Sequence, residues 1–145
     1  MILTKGGYDK VDFWALSIGL IDQLRELNDL LPAGTGICIH CGVEGKHSST
    51  GFHPKGMAVD LHFEKNGLLL QPEAMLFMLI KKWKGGIGIY THWNNPGFHL
   101  DIGPIRTWWK RSDSEYNLTL TEFVKEKGLN EYYEKIVMPN EEGYL

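Results

Sequence analysis

Three side chains in this sequence have the types and spacing to hold a catalytic metal ion. His53 and Asp60 bracket the stretch His53-Pro54-Lys55-Gly56-Met57-Ala58-Val59-Asp60. His53 ends a glycine-rich segment, and Asp60 lies on the strand that follows. A turn at Gly56 folds the chain back so that the two can converge, and the small residues 56 and 58 keep the space beside them open. His99 opens a second motif, Phe98-His99-Leu100-Asp101, on another predicted strand. Alternation puts Asp101 on the same face as His99. If that strand lies beside residues 57–63, Asp60 and His99 face each other across the sheet. Two histidines and one carboxylate leave a fourth position for water, which is the composition of a catalytic zinc site. Zinc makes such water a nucleophile near neutral pH and polarises a carbonyl.

The elements that must position these groups are legible in the pattern. Phe13, Leu16, Leu20, Leu24, Leu27 and Leu31 recur every three or four residues, which predicts an amphipathic helix over 12–31, stopped by Pro32 and Gly34. Residues 35–41 read as a short apolar strand, 42–56 as a long loop, and 57–63 as a strand with Ala58, Asp60 and His62 on one face. Asn66-Gly67 suits a tight hairpin turn into Leu68-Leu69-Leu70. Pro72 opens a second, largely buried helix that ends at Gly85-Gly86. Strands follow over 86–90, 98–102 and 105–109. Thr119 with Glu122 is a capping box for a short helix ending near Gly128, with one or two helical turns over 131–137 and a frayed end over 140–145. The expected architecture is one α+β domain over 1–145, a small antiparallel sheet with flanking helices.

The chain has 145 residues and a formal net charge of -3, with 43% hydrophobic and 23% charged residues. That length buries roughly two-thirds of the unfolded surface and suits one core. The charge gives no basic footprint for nucleic acid. No apolar run approaches the ~20 residues of a membrane span, and the first residues lack the apolar core of a signal peptide. A monomer made in the cytoplasm is expected. Cys38-Ile39-His40-Cys41, with His47 and His53 beyond it, is formally the start of a Cys2His2 zinc site. Residues three apart on a strand point to opposite faces, however, so two small buried core cysteines are the preferred reading.

His53, Gly56, Ala58 and Asp60, then Gly86-Ile87-Gly88-Ile89-Tyr90, then Phe98-His99-Leu100-Asp101-Ile102-Gly103, resemble the zinc D-Ala-D-Ala carboxypeptidases. That group, the LAS metallopeptidases, also includes VanY-like enzymes, phage endolysins and the hedgehog signalling domain. The resemblance covers roughly residues 12–103; residues 119–137 form a C-terminal helical extension. It implies a hedgehog/DD-peptidase-like fold, one zinc ion on His53, Asp60 and His99, and hydrolysis of a peptide bond in bacterial peptidoglycan stem peptides. It also implies action at the cell wall, as by a phage lysin or a virion-associated enzyme.

Two departures from the family pattern bear on the chemistry. Relatives place a substrate-binding Arg where this chain has Cys41-Gly42-Val43-Glu44. They also carry a His, Glu or Asp two or three residues before the last zinc ligand, as general base, where this chain has Pro96 and Gly97. The remaining candidates for the base are Asp101, on the face of His99, and His92, in the preceding turn; Asp101 could instead orient a ligand. His62 shares a face with Asp60, and Tyr90, Trp93 and Trp108 could wall a groove, although an exposed strand histidine explains the first at least as well and core or rim packing is the default for each of the others. The alternative function is a non-catalytic zinc-containing binding or virion structural module of the same fold.

Overall fold

The computed structural model describes residues 2–4, 12–43, 51–53 and 55–132. His47, the end of the helix expected over 131–137 and the last residues 140–145 lie outside them. The strands are β1 (Ile2–Thr4), β2 (Thr35–Cys41), β3 (Ala58–Lys65), β4 (Leu68–Leu70), β5 (Gly86–Tyr90), β6 (Gly97–Asp101) and β7 (Arg106–Lys110). The helices are α1 (Ile18–Leu30), α2 (Pro72–Lys82) and α3 (Leu120–Glu126), with a last helical turn α4 (Asn130–Tyr132). All seven strands join one sheet in the order β1-β2-β3-β6-β5-β7, with β4 on the end of β3.

The fold is mixed α and β, and the sheet is not wholly antiparallel. β1, which the sequence reading does not include, runs parallel to β2. β7 runs parallel to β5. The second departure follows from connectivity: β6 returns antiparallel beside β5, and the next strand crosses to the far side of β5, where it runs in the same direction.

Strand alternation divides the sheet into two faces. Ile37, Ile39, Val59, Leu61, Phe63, Ile87, Ile89, Phe98, Leu100 and Trp109 point one way. With Leu20, Leu24 and Leu27 of α1, Leu76 and Leu79 of α2 and Phe123 of α3 they form one buried cluster. Each such side chain contributes about 1.5–3 kcal/mol when fully buried. The residues of opposite parity, Cys38, Asp60, His62, Glu64, His99, Asp101, Tyr90 and Trp108, point the other way. The chemistry therefore occupies the side of the sheet that the described helices leave.

Local signals set the element ends. Helix α1 begins at Ile18 rather than near Asp12, because Ser17 has extended backbone and its hydroxyl accepts from Leu20 N at 3.3 Å. A 3-10 turn over Phe13–Ala15 precedes it. Asn66 and Gly67 both take positive φ, 51° and 82°, as the two-residue hairpin requires. Thr119 caps α3, accepting from Glu122 N at 3.0 Å. No described helix is long and apolar enough to cross a membrane.

Candidate metal centre

Asp60 on β3 and His99 on β6 are direct partners across the antiparallel ladder. His53 arrives from the turn before β3. Gly56 N donates to His53 O and Met57 N to Phe52 O, each at 3.0 Å, and Gly56 takes φ 69° to close the turn. Ser17 N donates to Gly56 O at 2.7 Å, which pins this turn to the start of α1. A side chain at Gly56 would run into the carbonyl of Ala15. The three sequence-predicted ligands thereby meet. His53 Nε2 lies 3.1 Å from His99 Nδ1, and Asp60 Oδ1 lies 3.2 Å from each nitrogen. Tetrahedral ligands about 2.0–2.1 Å from zinc are separated by about 3.3–3.4 Å. The triangle is within a few tenths of an ångström of that size.

The outer partners of the rings show that this triangle suits a cation. His53 Nδ1 lies 2.8 Å from Gly42 O, and a carbonyl can only accept, so the Nδ1 carries the hydrogen. His99 Nε2 lies 2.9 Å from Asp101 Oδ2, which likewise fixes its hydrogen on the outer nitrogen. In the neutral rings the lone pairs of His53 Nε2 and His99 Nδ1 then converge with a carboxylate oxygen on one point. Three acceptors facing each other need a positive charge between them. Burial alone would raise the pKa of Asp60, but its hydrogen bonds with His53 and His99 outweigh that and hold it at about 2. Burial would lower His99, yet Asp101 and Asp60 win and raise it. A proton is the occupant with which a metal ion competes.

Asp101 does not face the triangle. It meets the nitrogen of His99 that points away from Asp60, and its own solvent exposure is 0%. Its Oδ1 accepts from Gly86 N at 3.0 Å and Gly103 N at 2.9 Å, and its Oδ2 also accepts from Arg106 Nη2 at 3.0 Å. Burial would raise its pKa; the contact with His99, then Gly103 and Arg106, lowers it. The glycines of Gly86-Ile87-Gly88 make the room. A Cβ on Gly86 would stand 2.5–2.7 Å from the Asp101 carboxylate, and one on Gly88 would stand 2.6 Å from the Trp108 ring.

The cysteine reading is corrected by a bulge. Ile39 pairs with Leu61 but Cys41 pairs with Asp60, so His40 and Cys41 together oppose a single residue. The extra residue shifts the parity, and Cys41 reaches the metal face instead of the core. The two cysteines do not share a site. Cys41, His53 and Asp60 form one group that could hold a metal ion, and Cys38, His62 and Glu64 form another. In the second group both nitrogens of His62 already have polar partners, His40 Nε2 on one side and Glu64 Oε2, at 2.7 Å, on the other. His62 is thus buried and bonded, not an exposed strand histidine.

The bulge also aims His40 into a cavity of about 250 Å³ beside the triangle, lined by His40, Cys41, Asp60, Trp93, Asn94 and Asn95. Sequence reasoning passed over His40 and Glu64. The available signal was alternation, since His40 follows Cys38 by two and Glu64 follows His62 by two. His92 stays outside the triangle; its Nε2 lies 3.6 Å from Asp113 and its ring 6.0 Å from Tyr90. Trp108 packs 5.2 Å and Tyr90 6.4 Å from the ring of His99, and Trp93 lies 4.5 Å from Tyr90, tilted against it. Arg106 lies over the Trp108 ring at 4.2 Å and donates to Asp101 behind His99. No family model, curated protein or solved structure matches this chain.

Proposed function

We propose that this chain is a zinc-dependent peptidase that hydrolyses a peptide bond in the stem peptides of bacterial peptidoglycan, with the hedgehog/DD-peptidase-like fold that its motifs resemble. The observation that carries the reading is the convergence of three lone pairs, from His53, Asp60 and His99, beside an open cavity. One zinc ion held there would polarise the scissile carbonyl and acidify a water.

The chain's own residues supply the rest. Gly42 O and Asp101 lock the two histidines in the tautomers that present lone pairs. Asp101 therefore acts in this reading as the support of His99 and not as the base. The cavity of His40, Trp93, Asn94 and Asn95 receives substrate on one side. On the other, a groove lined by Tyr90, Arg106, Trp108, Lys110 and Asp113 presents Arg106, bonded to Asp101, and Lys110, beside Asp113, to the carboxylates of a stem peptide. Arg106 there takes the place of the arginine missing from Cys41-Gly42-Val43-Glu44.

The test is release of fragments from purified peptidoglycan by the zinc-loaded chain, followed by chromatography. Cleavage should stop with chelator and return with zinc. His53→Ala, Asp60→Ala and His99→Ala should each abolish it while circular dichroism stays unchanged. A full complement of zinc with no fragments from peptidoglycans of several chemotypes would overturn the reading.

Cys41 favours a second reading, the non-catalytic zinc module. A site closed by this sulfur beside His53, Asp60 and His99 would have four protein ligands and no open position. Absorption of the cobalt-substituted protein separates the two, because a thiolate ligand adds an intense near-ultraviolet band that Cys41→Ser removes.

A further inference from the structure

We propose that Cys38, His62 and Glu64 hold a second metal ion, a zinc-class divalent cation that clips β2 to β3. It is separate from the ion on His53, Asp60 and His99, and the proposal stands apart from the peptidase reading.

Strand register brings the three ligands together. Cys38 on β2 is the direct cross-strand partner of His62 on β3. Glu64 follows His62 by two and so shares its face. One ligand atom from each of the three lies within 4.8 Å of the others. Glu64, His62 and His40 also form one line across the sheet. His62 Nε2 lies 2.7 Å from Glu64 Oε2, and His62 Nδ1 makes a short contact with His40 Nε2. These groups are already bonded, so a metal ion enters by replacing hydrogens and not by filling a gap. Without metal, the Glu64 carboxylate can only accept, and the hydrogen between them sits on His62 Nε2. With metal, Nε2 and the carboxylate both turn lone pairs to the ion. They need to part by only about 0.6 Å to reach the spacing of tetrahedral zinc ligands. The hydrogen of His62 then moves to Nδ1, on the side of His40. A ligating histidine whose other ring nitrogen meets a polar neighbour is the usual support of a metal site.

The donor set and its burial name the ion class and its role. A thiolate with an imidazole favours zinc-like ions over magnesium and calcium, which prefer all-oxygen sites. Cys38 is 0% exposed, His62 1% and Glu64 8%, so water has little access. A carboxylate can bind through both oxygens, and the three side chains then offer the four donor atoms of a closed, structural site. The bulge between Ile39 and Cys41 divides the two cysteines. Cys41 stands with His53 and Asp60 on one side of it, and Cys38 with His62 and Glu64 on the other. An ion on the second set fixes the register of β2 against β3 beside the irregularity.

Metal counting and spectroscopy on the full chain test this without an activity assay. The zinc-loaded wild type should keep two zinc ions per chain after dialysis. The double variant His53→Ala/His99→Ala, which dismantles the triangle, should keep one. In Cys41→Ser the remaining thiol of the chain is Cys38. A near-ultraviolet thiolate band in the cobalt-loaded Cys41→Ser protein therefore assigns an ion to Cys38. In the same variant, 15N shifts should show the His62 hydrogen passing from Nε2 to Nδ1 as zinc is added. Absence of the band from folded Cys41→Ser, or a His62 that keeps its hydrogen on Nε2 with zinc in excess, overturns the second site. So does a folded double variant that retains no zinc. Should the double variant fail to fold, the band and the tautomer decide. One zinc in both the wild type and the double variant supports the second site and removes the ion from the triangle, and the peptidase reading then fails alone.

Discussion

Asp101 Oδ2 lies 2.9 Å from His99 Nε2, on the opposite side of the imidazole from Asp60. The carboxylate therefore acts on the metal site through the ring. Asp101→Asn keeps the shape but removes the charge that makes the ring a strong donor, and zinc affinity should fall by about 10–100-fold. Competition titration against a chromophoric chelator measures this. An unchanged affinity together with a large loss of turnover would return Asp101 to the role of base.

Gly86→Ala probes the same support without touching a ligand. The new methyl would stand 2.5–2.7 Å from the buried carboxylate, so Asp101 must move. Overpacking of this kind costs about 1–3 kcal/mol of stability. The thermal midpoint should drop, and zinc affinity should drop with it. If the midpoint falls but affinity does not, the orientation of His99 is independent of Asp101.

Zinc binding should weaken with acid in a defined direction. Asp101 and Asp60 raise the pKa of His99, so the metal-free triangle binds a proton more readily than a free imidazole does. The metal must displace that proton. Affinity should decline as pH falls from about 8 to about 6, and calorimetry should show proton release in buffers of different ionisation enthalpy. A pH-independent affinity over that range would contradict the shared triangle.

His40 predicts a separate acid weakness of the metal-free fold. Its pKa is about 4 in the folded chain against 6.5 for the free side chain, owing to burial and then to His62, with Asp60 opposing. Below 6.5 the unfolded chain takes up a proton that the folded one refuses, so this stability is full above 6.5 and lost as pH falls towards 4. The loss amounts to about 3 kcal/mol. Glu64, hydrogen-bonded to His62 at the far end of the line, is the other charged group in it. Urea unfolding at several pH values should show the decline, and His40→Gln should flatten it.

Where the chain carries its own local punctuation, the sequence anticipates the fold. β2 and β5 occupy the expected residues because apolar alternation is bounded by glycine and a charged or polar neighbour. The Asn66-Gly67 turn and the Thr119 cap follow from single side chains whose geometry admits little else. The triangle of His53, Asp60 and His99 was legible because its members sit in two short motifs on strands that pair directly. β1 was not, since three residues pairing in parallel with a strand more than thirty positions away leave no local trace. The same holds for the direction of β7, which depends on its neighbour and not on its own composition. The position of Cys41 was misjudged because a bulge breaks the rule of two by one residue, and that residue belongs to the pairing of two strands.

The irregularity at His40 makes chain length itself a parameter of the site. A strand one residue shorter at that point would run as an uninterrupted ladder, and only one side chain would stand across from Asp60. Everything beyond the gap, including the Gly42 carbonyl that fixes His53, would change phase against the rest of the sheet. A single-residue deletion here is thus a different kind of lesion from any substitution. It leaves His53, Asp60, His99 and the apolar cluster under the helices in the sequence, yet disconnects the two halves of the site by counting alone.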